Sequence, residues 1–361
     1  MNGKKAIGIL TGGGDCPGLN AVIRAAGKTL LKDGNYDVIG FKDGFAGMVE
    51  AKFKRLNFED LSGIMHLGGT ILGTSNKANP FNYFDRKTGT KSDQSQTVLD
   101  LAKELGIVGL ISVGGDGTQE ISYKFHERGL SVVAVPKTID NDLKATDITF
   151  GFDTAVSIVT EALDRLHTTA RSHHRVMILE VMGRNAGWIA LHGGVAGGAD
   201  VILIPEIPYK LEQVVEICKR RNTRGERFTI IVVAEGAKTD SGEQVVSKKV
   251  MDSPEINRLG GIGNYLAQQL EPLIENEIRV TVLGHLQRGG SPTSYDRNLA
   301  TNFGVESAMC VIEKDWGKLV AYQKGRITRV DLKEAIGGQR LVTADNTLIR
   351  SARHVGTSFG D

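Results

Sequence analysis

Two carboxylates and two neutral polar side chains stand close together in the segment PKTIDND at 136–142. Asp140 and Asp142 are separated by one residue and accompanied by Thr138 and Asn141. A carboxylate within hydrogen-bond reach of a hydroxyl can remove its proton, as phosphoryl transfer to that hydroxyl requires. The segment therefore predicts a general base. The alternative is a loop in which Asx side chains only cap backbone groups.

Two glycine-rich segments could hold phosphate groups. GGDGT at 114–118 combines flexible backbone with the Asp116 carboxylate, and Mg²⁺ takes one or two carboxylates together with phosphate oxygens and water. TGGGDCPGLNAVIR at 11–24 leads into a predicted helix, whose N-terminus attracts anions. It contains neither the P-loop pattern nor a dinucleotide fingerprint. The alternative is that both segments are ordinary Gly-rich turns, with Asp116 as the N-cap of the helix after GGDGT.

Arginine and histidine are grouped in three further segments: RSHHR at 171–175, MGRNAGW at 182–188 and IRVTVLGHLQRGGSP at 278–292. A guanidinium matches phosphate oxygens in a bidentate way, so these groups indicate phosphate clamps. Each arginine taken alone is better explained by a surface ion pair.

Most of these segments adjoin runs rich in Val, Ile and Leu, which alternate with helical patterns along the chain. The runs span 5–10, 37–41, 108–115, 131–136, 175–182, 200–205, 228–235 and 278–284. Continuous apolar runs between helices predict parallel strands buried on both faces, hence a doubly wound α/β architecture with ligands beyond the carboxyl ends of the strands. About ten strands exceed one comfortable sheet, so we expect two domains.

Composition excludes several classes of protein. The 361 residues are 40% hydrophobic and 24% charged with a net charge of +2, so neither disorder nor a general nucleic-acid surface is expected. No apolar run approaches a membrane helix, and the first fifteen residues lack the apolar region of a secretory signal. Three widely spaced cysteines favour a reducing, cytoplasmic location.

Taken in order, the segments resemble the ATP-dependent 6-phosphofructokinase family from residue 6 to about residue 297. The matching strings are TGGGDCPGLNAVIR, DGFAGM (43–48), GGTILGTS (68–75), GGDGT, PKTIDND, GFDTA (151–155), EVMGRNAGW, AEG (234–236), VLGHLQRGGSP and YDR (295–297). The resemblance implies two doubly wound α/β domains with mainly parallel sheets and an active site in the cleft between them. It places a nucleotide domain at 1–151 plus 287–337 and a fructose 6-phosphate domain at 152–286 plus 338–361.

The resemblance also implies the roles of individual residues on the nucleotide side. The ATP phosphates are expected on Gly13 and on Gly115, Asp116, Gly117 and Thr118, with Asp116 as the Mg²⁺ ligand.

The family's reaction assigns further roles. Asp140 is expected to take the proton from the sugar 1-hydroxyl, Thr138 to hold the transferring phosphoryl group, Asp142 to support the site, and Arg184 to contribute to catalysis.

For fructose 6-phosphate the resemblance implies a larger set of residues. Besides Thr138 and Asp140, the expected contacts are Met182, Gly183, Arg184, Glu235, His285 and Arg288. Arg175 and Arg279 are expected to reach the sugar phosphate from a neighbouring subunit, which implies a homotetramer with shared active sites. No nucleic-acid or membrane partner is expected.

Two departures from the family pattern concern the phosphoryl donor. In this family, members that use pyrophosphate have the pattern GGDD or GGED together with PKTIDND, whereas members that use ATP commonly have GGDG with PGTIDND. This sequence combines Gly117 of one pattern with Lys137 of the other. A carboxylate at position 117 would repel the α-phosphate, whereas a flexible Lys137 could swing aside, so ATP is favoured and pyrophosphate stays the alternative. In addition, Asn76 stands where the family usually has an arginine between the two substrates.

Two other classes remain as alternatives. A non-catalytic nucleotide-binding subunit is disfavoured by the intact Asp116, Asp140 and Arg184. A dinucleotide-dependent dehydrogenase lacks its required fingerprint.

Overall fold

The computed structural model describes residues 5–85, 88–242, 244, 246–249 and 257–361, with 246–249 and 257–258 described by their backbone alone. The chain divides into two compact units. Unit 1 comprises Met1–Ile139, Leu143–Asp153 and Arg288–Gln339, and unit 2 comprises Asp140–Asp142, Thr154–Gln287 and Arg340–Asp361. These units set Asp140–Asp142 apart from the rest of unit 1, which the boundaries expected from sequence did not do, and the nucleotide and fructose 6-phosphate domains stay predictions.

Fifteen strands occur in the described residues. They are β1 (Lys5–Thr11), β2 (Tyr36–Phe41), β3 (Phe53–Leu56), β4 (Tyr83–Asp85), β5 (Thr90–Ser92), β6 (Ile107–Gly114), β7 (Val132–Pro136), β8 (Val176–Val181), β9 (Val201–Leu203), β10 (Thr229–Ala234), β11 (Val246–Lys249), β12 (Asn257–Leu259), β13 (Ile278–Val282), β14 (Lys318–Gln323) and β15 (Arg326–Asp331).

Ten α-helices accompany them in the same residues. They are α1 (Leu19–Asp33), α2 (Phe45–Val49), α3 (Ser95–Glu104), α4 (Asp116–Glu127), α5 (Phe152–His173), α6 (Trp188–Ala196), α7 (Leu211–Thr223), α8 (Ile262–Leu270), α9 (Ser294–Glu313) and α10 (Thr347–His354). Short 3₁₀ turns lie at Pro80–Asn82, Gly284–Arg288 and Leu332–Ala335. None of the helices in the described part of the chain has both the length and the apolar character needed to cross a bilayer.

Unit 1 is built on a seven-stranded sheet of order β15-β14-β7-β6-β1-β2-β3. Its central pairs are parallel, and only the edge pairs β2–β3 and β14–β15 are antiparallel. From β1 the chain continues to β2 on one side of β1, whereas β6 and then β7 lie on its other side. Such a reversal between neighbouring parallel strands opens a crevice at their carboxyl ends, where ligands bind in doubly wound folds.

Unit 2 contains a four-stranded sheet of order β13-β8-β10-β9, in which every pair is parallel. Its core buries apolar side chains of β8, β9 and β10 against α7 and α8. The short pairs β4–β5 and β11–β12 lie outside the two main sheets. The doubly wound α/β fold with mainly parallel sheets is therefore confirmed.

Glycine permits the closest helix packing in unit 1. Helix α1 ends at Gly34 in the left-handed conformation, and its apolar face packs on α9. At Gly304 of α9 an added Cβ would lie 2.6 Å from the carbonyl oxygen of Val22, so the two helices approach too closely for any side chain there.

The sequence missed several strands of the described chain, namely β3, β4, β5, β11, β12, β14 and β15. Most are short, and β3 and β15 form the antiparallel edges of the large sheet. Edge strands have one exposed side and carry charged residues, so they lack the continuous Val/Ile/Leu run used to recognise buried strands.

Candidate active site

The glycine loop after β1 lies beside the glycine loop after β6 in unit 1. An added Cβ at Gly12 would lie 2.6 Å from the Thr118 hydroxyl, so backbone and side chain touch there. Gly13 has a φ of +79°, and its N–H donates to the carbonyl of Ser75 at 3.0 Å. The Thr74 hydroxyl donates to the Gly13 carbonyl at 2.6 Å. The Gly13 amide is therefore already used within the protein, so glycine serves here through its conformation and lack of bulk.

The second glycine loop forms the N-terminus of α4. The helix begins at Asp116 after Gly115, directly beyond the carboxyl end of β6, and a helix N-terminus attracts anions. Asp116 is exposed, and its Oδ1 accepts the Gly117 N–H at 2.7 Å. An added Cβ at Gly117 would meet no atom within 4 Å, so this position borders open space. Helix dipole, exposed carboxylate and open space together fit a phosphate chain with its cation.

The side chain of Lys137, directly after β7, completes this group. Lys137 is only 3% exposed, and its ammonium donates to the carbonyl of Gly14, while its own N–H donates to the Gly114 carbonyl at 3.0 Å. A buried ammonium must be paired, which fixes this side chain on the loop after β1. This arrangement differs from the flexible lysine expected from the sequence.

Arg288 contacts the same loop. Its Nη1 donates to the Asp15 carbonyl at 3.3 Å and lies 2.7 Å from where a Cβ on Gly14 would stand. The structure therefore places Arg288 in unit 1, whereas the other residues expected at the sugar belong mainly to unit 2.

The segment that carries the expected base passes from unit 1 to unit 2. The Thr138 carbonyl accepts a hydrogen bond from the Thr149 hydroxyl at 2.7 Å, which holds this end of the segment in unit 1. Asn141 is 4% exposed and adopts a left-handed φ of +53°. Asp140 and Asp142 on either side of it are half-buried.

In unit 2 the loops after β8 and β10 lie together. Gly183 has a φ of +136°, and a Cβ there would lie 2.9 Å from the Ala186 carbonyl. At Gly236 a Cβ would lie 1.8 Å from the Arg184 carbonyl, and the Gly236 N–H donates to Gly183 at 3.1 Å. These glycines allow the two loops to touch, which brings Arg184 and Glu235 into one group.

The loop after β13 joins the same group. The side chain of Gln287 is fully buried and accepts the Met182 N–H at 3.2 Å. It also donates to the Gly284 carbonyl at 3.1 Å, next to the exposed His285. Met182, Gly183, Arg184, Glu235 and His285 are thus collected at the carboxyl ends of the strands of unit 2. Gln287 was missed by the sequence analysis, although it lies inside the segment GHLQRGG.

Arg175 and Arg279 lie at the other end of this sheet, near the amino ends of its strands. Arg175 precedes β8, Arg279 is the second residue of β13, and both pair with Glu277. The Arg175 guanidinium lowers the pKa of the Glu277 carboxyl below its ordinary value. Arg279 lies four residues before Leu283, about 13 Å along the strand, so it is far from the loops at the carboxyl ends of this sheet, and Arg175, which precedes β8, is as well.

The protein groups fit a cation held jointly with a substrate phosphate. Within the described residues, no three side chains of His, Cys, Asp or Glu come together as a metal site. Asp116 supplies an exposed carboxylate beside the open space at Gly117. A Mg²⁺ ion typically takes one or two carboxylates and leaves its other positions to phosphate oxygens and water.

Comparison with known proteins decides the family. Residues 6–311 match the Phosphofructokinase family model. This chain belongs to the phosphofructokinase family. The ATP-dependent 6-phosphofructokinase 2 of Clostridium perfringens is 53% identical over 361 residues, covering 99% of each chain. The pyrophosphate–fructose 6-phosphate 1-phosphotransferase of Streptomyces coelicolor is 48% identical over 98% of this chain and 99% of its own.

A solved structure agrees with this phosphofructokinase assignment. Phosphofructokinase from Saccharomyces cerevisiae superimposes with a TM-score of 0.79 and 32% identity over 92% of this chain. This chain spans 45% of the length of that yeast chain. The family resemblance seen in the motifs is confirmed, and with it an enzyme of the phosphofructokinase type whose kinase chemistry involves a divalent cation.

His192 lies in α6, the helix that follows the loop of Arg184, and gives a pH prediction for this phosphofructokinase. Burial, and secondarily the charge of Arg340, lower the pKa of His192 below its ordinary value of 6.5. As pH falls through the interval below 6.5, the unfolded chain takes up a proton that the folded chain does not, so stability is lost. We expect His192→Gln to reduce the slope of unfolding free energy against pH there, by at most about 1.4 kcal/mol per pH unit.

Urea unfolding between pH 7.5 and pH 4.5 measures this slope. His354→Gln, at an exposed histidine in α10, is the matched control. Parallel curves for wild type and His192→Gln would contradict the prediction.

Proposed function

We propose that this phosphofructokinase transfers the γ-phosphoryl group of ATP to the 1-hydroxyl of fructose 6-phosphate, giving fructose 1,6-bisphosphate and ADP. One observation carries the choice of ATP: the open space at Gly117 on the first turn of α4, where a carboxylate would meet the α-phosphate. The relatives bear names for both donors, so the choice between ATP and pyrophosphate rests on this chain's own residues. Pyrophosphate is the second candidate because Lys137 is present.

The proposed division of roles follows the two groups of residues. In unit 1, Gly13, Gly115, Gly117 and Thr118 receive the phosphates of ATP, at the crevice where the strand order reverses. Asp116 holds Mg²⁺, which when bound neutralises phosphate charge and orients the transferring group.

The residues of unit 2 proposed to bind fructose 6-phosphate are Met182, Gly183, Arg184, Glu235 and His285, and Arg288 is proposed to bind its phosphate group. Arg184 neutralises charge on the transferring group, and Glu235 accepts a hydrogen bond from a sugar hydroxyl because an ionised carboxylate only accepts.

Asp140 is the proposed catalytic residue of the transfer step. Its carboxylate takes the proton from the 1-hydroxyl as the oxygen attacks the phosphoryl group, and Thr138 holds that group. Asp142 supports the site beside it. Positioning and charge neutralisation supply most of the rate enhancement expected for phosphoryl transfer.

We further propose a cytoplasmic homotetramer with shared active sites. Arg175 and Arg279 lie near the amino ends of the strands of their own sheet, away from its carboxyl ends. This position supports the proposal that they bind the sugar phosphate of a neighbouring subunit. Both arginines would exchange their present partner, the Glu277 carboxylate, for the phosphate dianion of the sugar. Analytical ultracentrifugation, together with complementation between Arg279→Ala and Asp140→Asn subunits, tests this assembly.

A side-by-side assay with ATP and pyrophosphate tests the proposed reaction. Formation of fructose 1,6-bisphosphate is measured with each donor at saturating fructose 6-phosphate and Mg²⁺. We expect kcat/KM for ATP to exceed that for pyrophosphate. The reverse order would replace the ATP proposal with the pyrophosphate candidate, and no turnover with either would refute both.

The segment that lacks the family's arginine gives a further prediction. Ser75 binds Gly13 through its backbone, and Asn76 and Lys77 follow it as exposed residues. Asn cannot neutralise the charge that develops on the transferred group, whereas the lysine beside it can supply that charge without bidentate geometry. We expect Lys77→Ala to lower kcat about tenfold or more and Asn76→Ala to change it little, since a positioned donor contributes about 10²–10³.

Turnover at saturating substrates distinguishes the two variants, and Asn76→Ala serves as the matched control. Equal and small effects would show that Lys77 is an ordinary surface lysine. The missing arginine would then be uncompensated.

A further inference from the structure

The start of the C-terminal segment of unit 2 contacts the loop that carries Asp140. The backbone N–H of Arg340 donates to the Asp142 carbonyl at 2.7 Å. Its Nη2 donates to the Asn141 carbonyl at 2.6 Å. One residue, distant by about two hundred positions in sequence, therefore binds two successive carbonyls directly after the proposed base.

The loop needs such support because its backbone is unusual. Asn141 is buried with a φ of +53°, in the left-handed region that is uncommon for residues other than glycine, although asparagine adopts it more often than most. Its carbonyl is satisfied by a charged donor, a stronger kind of hydrogen bond than one between neutral groups. Loss of the donor would leave a buried carbonyl without this partner and free the peptide between Asn141 and Asp142 to rotate.

Arg340 is itself held from two sides. Its guanidinium lies 4.2 Å from the centre of the Trp188 ring, and the indole N–H donates to the Arg340 carbonyl at 2.8 Å. Two residues on, the Val342 N–H donates to Glu206 at 2.9 Å, and the same carboxylate accepts the Gly187 N–H at 3.0 Å. Gly187 and Trp188 end the segment MGRNAGW, so Arg340 connects the loop of the base with the loop of Arg184.

We propose that Arg340 is a positioning residue for phosphoryl transfer: it fixes the backbone after Asp140 and thereby aims the carboxylate at the sugar hydroxyl. The inference rests on the proposed function, in which Asp140 is the base. A base must stand within hydrogen-bond reach of its proton, and a displacement of about 1 Å can cost about 10²-fold in rate. Arg340 acts on the rate through Asp140 without touching the substrate.

The test compares Arg340→Met, Arg340→Lys and the control Arg350→Met in the full-length enzyme. Methionine keeps a stem over Trp188 but removes the donor, and lysine retains a donor without the planar stacking. Arg350 is an exposed arginine in the same C-terminal segment. We expect Arg340→Met to lower kcat about 10- to 100-fold with KM for fructose 6-phosphate within about twofold, Arg340→Lys to recover part of the loss, and Arg350→Met to match wild type.

Two further readouts separate positioning from a general loss of structure. Rates are expressed per site that binds fructose 6-phosphate, so unfolded protein does not count. The acidic limb of the kcat–pH profile, which reports the base in the complex, should shift in Arg340→Met and stay in place in the control.

Three results would overturn the inference: unchanged kcat per binding site, an effect confined to KM, or an equal loss in Arg350→Met. Absence of turnover in the wild type would instead refute the proposed function, because the comparison between variants would then have no reaction to report.

Discussion

Replacing Asp140 by asparagine is expected to lower kcat by about 10²–10⁴-fold while leaving fructose 6-phosphate binding nearly intact. The change keeps the size of the side chain and removes the group that takes the proton in the transition state. A group that acts only there affects kcat and kcat/KM equally, with little change in ground-state binding.

The structure indicates that this substitution leaves the backbone of the loop in place. Asp140 is half-buried in a loop whose neighbours are held through the carbonyls of Asn141 and Asp142, so the backbone has fixed partners that the new side chain does not replace. Steady-state turnover and equilibrium binding of fructose 6-phosphate are measured on the same preparation. Asp164→Asn, at an exposed position of α5, is the matched control. Near-wild-type turnover of Asp140→Asn would remove this residue from the mechanism.

Replacing Gly117 by aspartate is expected to lower kcat/KM for ATP about 100-fold or more and to leave or create use of pyrophosphate. Position 117 is the second residue of α4, its φ is not in the left-handed region, and a new Cβ meets no atom within 4 Å. The fold therefore accommodates the side chain, and an acid in the first turn suits the helix dipole. The carboxylate would oppose the α-phosphate of ATP, and like charges placed together cost several kcal/mol.

Gly117→Asn separates charge from volume in this experiment. We expect asparagine to weaken ATP use less than aspartate, because it has the same size without the charge. Lys137 is already in place for pyrophosphate, held on the Gly14 carbonyl. Unchanged ATP kinetics in Gly117→Asp would refute the α-phosphate argument, and equal losses in both variants would assign the effect to bulk alone.

The parts of the site that were predictable from sequence lie in contiguous strings. GGDGT and PKTIDND each follow a buried parallel strand, and carboxyl ends of such strands meet at one edge of a sheet. Pattern alone could therefore place Asp116 beside the loop of Gly13, and the structure brings these loops together through Thr118. The roles of these residues in catalysis stay predictions.

Other features of the site had no local signal. Arg340 stands in an unremarkable C-terminal sequence, and its contacts with Asn141 and Asp142 join residues about two hundred positions apart. Gln287 is fully buried under the Met182 amide, although glutamine is a typical surface residue. Lys137 has a flexible side chain by type, and only its burial against the Gly14 carbonyl fixes it.

The sequence by itself determined the doubly wound α/β class and the order of the chemical segments. It could do so because hydrophobic periodicity and glycine placement act over a few residues and depend little on distant contacts. Only the tertiary structure shows which segments bind one another. The Gly13 N–H donates to the Ser75 carbonyl, the Met182 N–H donates to the Gln287 side chain, and Arg340 donates to the loop of Asp140. Such partnerships are hydrogen bonds to backbone groups, which all residues other than proline offer alike, so no side-chain pattern along the chain records them.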